Sequence, residues 1–257
     1  MKILLTGYQG FIGQHLNEAL KYHSLTLHEW GDRFPNLNNG YDWVLHIGAI
    51  SSTAEKDVEK VLTQNFDFTI ELYEKCKDRI NFQWSSSASV YGFGKEFTET
   101  AKPEPQNPYA WSKYLIERHI LKNLPVHTVA QGFRYFNVYG PEGEEHKGDQ
   151  ASPHYKFEQQ ARTTGVIKLF KNSENYLRDF VHVSKVVEVH KTFLDIKKSG
   201  IWNVGTGTPK SFEHVAKEIA KKYKARIEYI DMPENLKNHY QAYTCADLTK
   251  LLKDMND

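Results

Sequence analysis

The sequence predicts a doubly wound α/β fold, an open parallel sheet with helices on both faces. Three observations predict it. Short apolar runs alternate with stretches of helical periodicity through the first half of the chain. A glycine triplet joins the first such run to the first helix. The composition, 40% hydrophobic and 13% aromatic over 257 residues, permits a sizeable core. The 33 Lys+Arg against 32 Asp+Glu leave a net charge of +1, which gives no general attraction to nucleic acid or to an anionic membrane. No apolar run approaches the roughly 18 residues that span a bilayer, and the N-terminal KILLTG is too short for a secretory leader. Cys76 and Cys245 form neither a disulfide framework nor a metal set. The twelve histidines fall in no zinc-like spacing. These features indicate a cytoplasmic protein with reduced thiols, no metal, no nucleic-acid partner and no membrane partner.

The elements follow in order. Lys2–Thr6 is an apolar strand, and Phe11–Tyr22 carries Ile12, Leu16, Ala19 and Leu20 at helical spacing. Ser24–Glu29 and Trp43–Ile47 read as strands, and Ala54–Lys77 as a long amphipathic helix. Asn81–Ser85, Tyr109–Lys122 and Pro125–Gln131 continue the strand, helix, strand alternation. Beyond Asn137 the pattern loosens into helices at Pro153–Thr163 and Phe212–Lys222 with strands at Val166–Phe170 and Arg226–Ile230.

Gly7, Gly10 and Gly13 stand at G-x-x-G-x-x-G spacing between the first strand and the first helix. Gly7 allows a tight turn, Gly10 lets a pyrophosphate approach the backbone, and Gly13 lets the helix pack closely on the strand. The helix start at Phe11 and Ile12 then presents free N–H groups and the positive end of its dipole to phosphates. Strand, triplet and helix in this order predict a Rossmann-like site for NAD or NADP. Glu29, at the end of the second strand, would bond a ribose 2′-hydroxyl and select NAD, whereas Arg33 in the same loop would accept a 2′-phosphate. The sequence leaves that choice open.

Asn107-Pro108 reads as a helix cap and first turn, which puts Tyr109 and Lys113 one helical turn apart on one face. An ammonium beside a phenol stabilises the phenolate, so the Tyr109 pKa is expected to fall. Upstream, the serines of Ser85-Ser86-Ser87-Ala88-Ser89 end an apolar strand, where ligands meet open α/β sheets.

Together these three segments resemble the extended short-chain dehydrogenase/reductase family, whose members act on nucleotide sugars. The resemblance implies Tyr109 as catalytic acid/base, Lys113 as the residue that holds the nicotinamide ribose, and Ser87 as the group that orients the reacting oxygen. Further segments, RYFNVYGP (134–141), HKG (146–148), RDFVHV (178–183), NVGTG (203–207) and the QA and ADLT of the tail, narrow the likeness to the epimerases of that family that invert C6 of an ADP-linked heptose. That likeness implies a nucleotide-diphosphate sugar as partner, Lys147 as a second acid/base group, and Ser86, Asn137, Lys156, Arg178 and Tyr240 as substrate contacts. A tightly bound NADP or NAD per subunit and a homo-oligomer are also implied. The division implied is 1–145 for the dinucleotide and 146–257 for the sugar nucleotide, with the two parts interleaved.

The chain departs from that pattern in places. Only about a dozen residues separate Glu29 from Trp43, where the family places a further strand and helix. Lys185 and His239 replace an expected aspartate and arginine, and no last helix is expected after Leu252. The same catalytic trio serves reductases and 4-epimerases, which stay as alternatives. A regulator that senses NAD(P) without turnover would lose Tyr109 or Lys113, and both are present.

Overall fold

The computed structural model describes residues 1–141, 143–234 and 241–256. Its central sheet is built from β1 (Lys2–Thr6), β2 (Ser24–His28), β3 (Trp43–His46), β4 (Asn81–Ser87) and β5 (Ala130–Tyr135), closed at the far edge by Gly200–Val204. The order is β2-β1-β3-β4-β5 and then that edge strand, every pairing parallel. The chain leaves β1 for β2 and then crosses back to β3 on the other side. The order therefore reverses between β1 and β3, and the crevice beyond their carboxyl ends is where an open α/β sheet receives its ligand. Among the described residues no strand lies outside β2 in this sheet, and the connection from Glu29 to Trp43 is short.

Alternation along each strand sorts the core onto two faces. Ile3 and Leu5 meet Leu16 of α1 (Phe11–Ala19) on one face. Leu4, Phe82 and Trp84 meet Leu72 of α3 (Phe68–Cys76) and Ile116 and Ile120 of α4 (Pro108–Lys122) on the other. Helix α2 (Val58–Val61) runs into α3 through a π-turn at Leu62–Asp67. The continuous helix expected from residue 54 thus starts later, because the Asp57 side chain caps it by accepting from the Lys60 N–H at 3.0 Å.

The remaining elements are β6 (Asn137–Tyr139), α5 (Pro153–Thr164), β7 (Val166–Phe170), β8 (Leu177–Arg178), β9 (Phe180–His182) and α6 (Val183–Phe193). They are followed by β10 (the edge strand Gly200–Val204), β11 (Lys210–Ser211), α7 (Phe212–Tyr223), β12 (Arg226–Ile230) and α8 (Thr249–Asn256). Strand β7 pairs with β12 in parallel, and α5 and α7 bury Phe157, Val215 and Ile219 against them. Parallel pairing of β6 with β9 carries the chain over the carboxyl end of the sheet. Helix α6 returns to the sheet and packs Val186, Val189 and Phe193 on Phe133 and Trp202.

Two expectations need correction. Strand β5 lies at Ala130–Tyr135 instead of Pro125–Gln131, and the polar residues Gln131 and Arg134 are buried in it with partners. Gln131 accepts from Gln83 at 3.0 Å, and Arg134 holds Glu117 through two hydrogen bonds of 2.9 and 2.7 Å. A final helix does form: α8 buries Leu251 in the α6 core, and its Asp254 accepts from the Trp202 indole at 2.8 Å.

Candidate active site

The glycine loop is set by close backbone approach. Gly7 has φ +74° and donates to the His28 carbonyl at 2.9 Å. A Cβ on Gly7 would lie 2.3 Å from Cα of Gly48, which follows β3, and one on Gly13 would lie 2.0 Å from the Gly7 oxygen. Neither space admits a side chain, so the backbones of the first and third strand ends meet directly. Helix α1 starts at this point with no side-chain cap and no acidic residue in its first turn. Its first N–H groups are thus left for an anionic group. The loop fits a pyrophosphate.

From this loop a cleft of about 920 Å³ runs across the carboxyl ends of the strands. Its wall includes Gly7, Gly10, Phe11, Ile12, Gly13 and Glu29 on one side and Ser86, Ser87, Tyr109, Asn137, Lys147 and Arg178 further along. Residues from seven separate segments of the sequence therefore converge. The volume lies in the range of small-molecule sites.

Glu29 accepts from the Gln9 N–H at 2.6 Å and lines both this cleft and a smaller adjoining cavity with Trp30, His46 and Phe68. Arg33 is exposed and lines neither cavity. Of the two residues between which the sequence left the choice open, Glu29 borders the cleft and Arg33 does not.

Helix α4 begins as its sequence predicts, with the Asn107 side chain accepting from the Ala110 N–H at 2.9 Å and Pro108 in the first turn. Tyr109 reaches the cleft, and a hydrogen bond joins its phenol to Ser87. Burial pushes the phenol pKa up, and the Ser87 bond only partly opposes it. The expected fall does not occur. Lys113 is 3% exposed, donates to the Ser85 carbonyl at 2.9 Å and to its hydroxyl at 3.1 Å, and lies 5.9 Å from the Tyr109 ring centre. Its own ammonium is destabilised by burial, which brings its pKa to about 7 against the opposing pull of Glu117. The sequence shows the pairing but not the desolvation of both partners.

The other predicted residues separate. Ser86 is 1% exposed and gives its hydroxyl to Glu117, itself held by Arg134, so its side chain is committed below the cleft wall. Asn137 starts β6, donates its N–H to the Asp179 carbonyl at 3.0 Å and borders the cleft. Arg178 is 8% exposed, lies over the Phe212 ring and also borders the cleft. Lys156, on α5, is not part of the cleft wall. His239 and Tyr240 lie outside the described residues, whereas Gln241 borders the cleft and donates to the Gly92 carbonyl at 2.7 Å.

Two residues with a clear part in the site escaped the sequence reading. Asn65, in the π-turn, is fully buried; it accepts from the Ile50 N–H at 2.8 Å and donates to the Ser112 hydroxyl at 3.0 Å. It thereby ties the cleft wall after β3 to α4. A π-turn marks functional positions in helices, but nothing in the local pattern announces one. Glu144, fully buried, is an ion-pair partner of Lys147 at 3.1 Å. The E-x-x-K spacing was visible, but its burial was not.

The profile of the NAD dependent epimerase/dehydratase family matches residues 32–205. Over 222 residues the chain is 43% identical to an ADP-L-glycero-D-manno-heptose-6-epimerase from Brachyspira hyodysenteriae, a match that covers 83% of this chain and 70% of that protein. The crystal structure of Helicobacter pylori ADP-L-glycero-D-manno-heptose-6-epimerase superposes with a TM-score of 0.87 at 24% identity, covering 99% of this chain and 90% of the other. A UDP-N-acetylglucosamine 4-epimerase from Methanobrevibacter ruminantium, solved with UDP-N-acetylmuramic acid, also reaches 0.87 at 22% identity over 98% and 91%. At these identities the solved structures speak for the fold.

Proposed function

The chain belongs to the NAD dependent epimerase/dehydratase family, and from that premise we propose that it is a nucleotide-sugar epimerase that inverts C6 of an ADP-linked heptose. The observation that carries this reading is the presence of Tyr109 with Ser87 and of Lys147, from a separate segment, in the wall of one cleft. A secondary alcohol carbon has no acidic C–H, so its inversion needs oxidation to a planar carbonyl and reduction from the other face. Bound NAD(P) supplies the acceptor and donor of the hydride. The protein must then handle a proton on each side of the sugar, and a one-way reductase would need only one such group.

In this reading Ser87 and Tyr109 hold the sugar oxygen in one orientation. Burial keeps Tyr109 a neutral phenol near pH 7, the form that can donate. After the carbonyl has turned, Lys147 serves the oxygen on its other side. Lys113 fixes the end of β4 through Ser85 and offers its ammonium beside the ribose site. Gly7, Gly10, Phe11, Ile12 and Gly13 hold the pyrophosphate, and Glu29 holds the adenosine ribose, so NAD is preferred over NADP. Arg178 takes the diphosphate of the substrate and Asn137 a sugar hydroxyl; Lys156 and Tyr240 are proposed contacts on the family pattern alone.

The division into a dinucleotide part, 1–145, and a sugar-nucleotide part, 146–257, belongs to the same reading, with β10 as the strand that the second part lends to the sheet. No helix among the described residues is long and apolar enough to cross a membrane, in keeping with a cytoplasmic enzyme. Exposed Val58, Trp111 and Leu121 on α2 and α4 support a homo-oligomer through that face; light scattering that gives a monomer at micromolar concentration contradicts it. The test of function is incubation of the purified protein with an ADP-heptose of one C6 configuration. Conversion to the other without added reductant, followed by NMR, is expected. Stoichiometric consumption of external NAD(P)H identifies a reductase instead.

A further inference from the structure

Glu144 is fully buried, and its carboxylate is surrounded by donors. Oε2 accepts from the Ser152 N–H at 2.6 Å, and Oε1 from the Ser152 hydroxyl at 2.7 Å, with the Gly140 N–H more distant at 3.4 Å. Among the described residues, the one cation paired with it is Lys147, whose Nζ lies 3.1 Å from Oε2. The same ammonium stands 4.7 Å above the centre of the Phe11 ring, at the start of α1 and in the cleft wall. Ser152 is the cap of α5, and Gly140 ends the β6 segment, so both ends of the connection that carries Lys147 are fastened to one carboxylate.

This arrangement is more than a surface ion pair. A buried carboxylate with no cation is strongly unfavourable, and an ammonium on a four-carbon stem has many rotamers to lose. The fixed partner is Glu144, held by the backbone and hydroxyl of Ser152; the flexible partner is Lys147, whose side chain is 19% exposed. The carboxylate therefore determines where the ammonium stands.

We propose that Glu144 is the positioning residue for Lys147, holding its ammonium at the cleft wall against Phe11 so that it meets the sugar oxygen. The proposal rests on the reading of Lys147 as the second acid/base group. Glu144 touches neither sugar nor cofactor, so its effect passes through Lys147 alone.

The test is a double-mutant cycle on epimerisation by the full chain, with kcat and KM measured separately and folding checked by thermal melting. Glu144→Gln keeps the shape and an acceptor for Ser152 but removes the charge. It is expected to lower kcat by about 10- to 100-fold, within the range of acid–base contributions, with KM changed by less than about threefold. In a Lys147→Met background the same substitution is expected to change kcat by less than about twofold, because the group it positions is gone. Glu144→Asp keeps the charge and draws the ammonium back by one methylene; a fall in kcat of about tenfold is expected, and this variant carries the test should the glutamine variant not fold. Wild-type kcat in Glu144→Asp or Glu144→Gln, while Lys147→Met is impaired, overturns the proposal and leaves the role of Lys147 standing. Equal losses from Glu144→Gln with and without Lys147 assign Glu144 a purely structural part and overturn it too. Wild-type activity of Lys147→Met overturns the reading of Lys147 and the proposal with it.

Discussion

Lys113 donates to the carbonyl oxygen of Ser85 across 2.9 Å, and so ties the middle of α4 to the carboxyl end of β4. The bond does two things. It fixes Tyr109, one turn earlier on the same helix, at the mouth of the cleft, and it holds a desolvated ammonium behind the cleft wall. Lys113→Met is expected to weaken NAD binding and to lower kcat by about 10²-fold or more. Tyr109→Phe is expected to lower kcat by a similar factor while NAD binding stays within about threefold. Isothermal calorimetry with NAD and steady-state epimerisation separate the two.

The glycine loop makes a sharper steric prediction. Gly13→Ala places a Cβ 2.0 Å from the Gly7 oxygen, a backbone atom that cannot move aside cheaply, whereas Gly10→Ala meets that oxygen only at 3.3 Å. Gly13→Ala should lose about 1–3 kcal/mol of stability by overpacking, and NAD binding with it. Gly10→Ala should melt near the wild type and lose affinity only through its approach to the pyrophosphate. Chemical denaturation and NAD titration of both variants check the contrast.

Glu29 stands in the cavity and Arg33 outside it. A carboxylate that accepts a ribose hydroxyl repels a 2′-phosphate. NAD is expected to bind at least about tenfold more tightly than NADP, a charge-assisted hydrogen bond being worth about 1.5–3 kcal/mol. Glu29→Ala should remove most of that preference by weakening NAD and relieving NADP. Equal affinities in the wild type contradict the assignment.

Acid should destabilise the fold through two buried imidazoles. His46 bonds the hydroxyls of Thr6 and Thr69, and His190 bonds Tyr135 and Gln83; burial brings each pKa to about 3. Each imidazole is neutral in the fold and takes up a proton in the unfolded chain below about pH 6.5. Stability is therefore full above that pH and falls as pH drops towards 3, by about 1.4 kcal/mol per unit for each histidine. Urea denaturation at pH 7 and pH 5 should show the loss, and His190→Gln should have a shallower dependence.

Much of the fold was legible because its signals are local. The glycine triplet, the Asn107-Pro108 cap and the Tyr109–Lys113 turn each lie within a few residues, and each forms as its spacing implies. What was illegible depends on partners far away in the chain. The strand expected at Pro125–Gln131 runs instead to Tyr135, because Gln83 and Glu117, distant in the chain, satisfy Gln131 and Arg134 inside it. The Tyr109 pKa was expected to fall because the pair was visible and its burial was not. Ser86 reads as a cleft hydroxyl until Glu117, 31 residues on, takes it. Asn65 gave no signal of its own and Glu144 only its spacing to Lys147, since a buried polar residue reveals its role only through what surrounds it.

Under the proposed mechanism, hydrogen leaves the sugar carbon as hydride and comes back to the same carbon from the other face. Substrate carrying deuterium at the inverted carbon, incubated with the enzyme in ordinary water, tests it directly. The account predicts epimer that retains its deuterium at that carbon, followed by NMR and mass spectrometry. Loss of the label to solvent at the rate of inversion would mean proton abstraction and would contradict it.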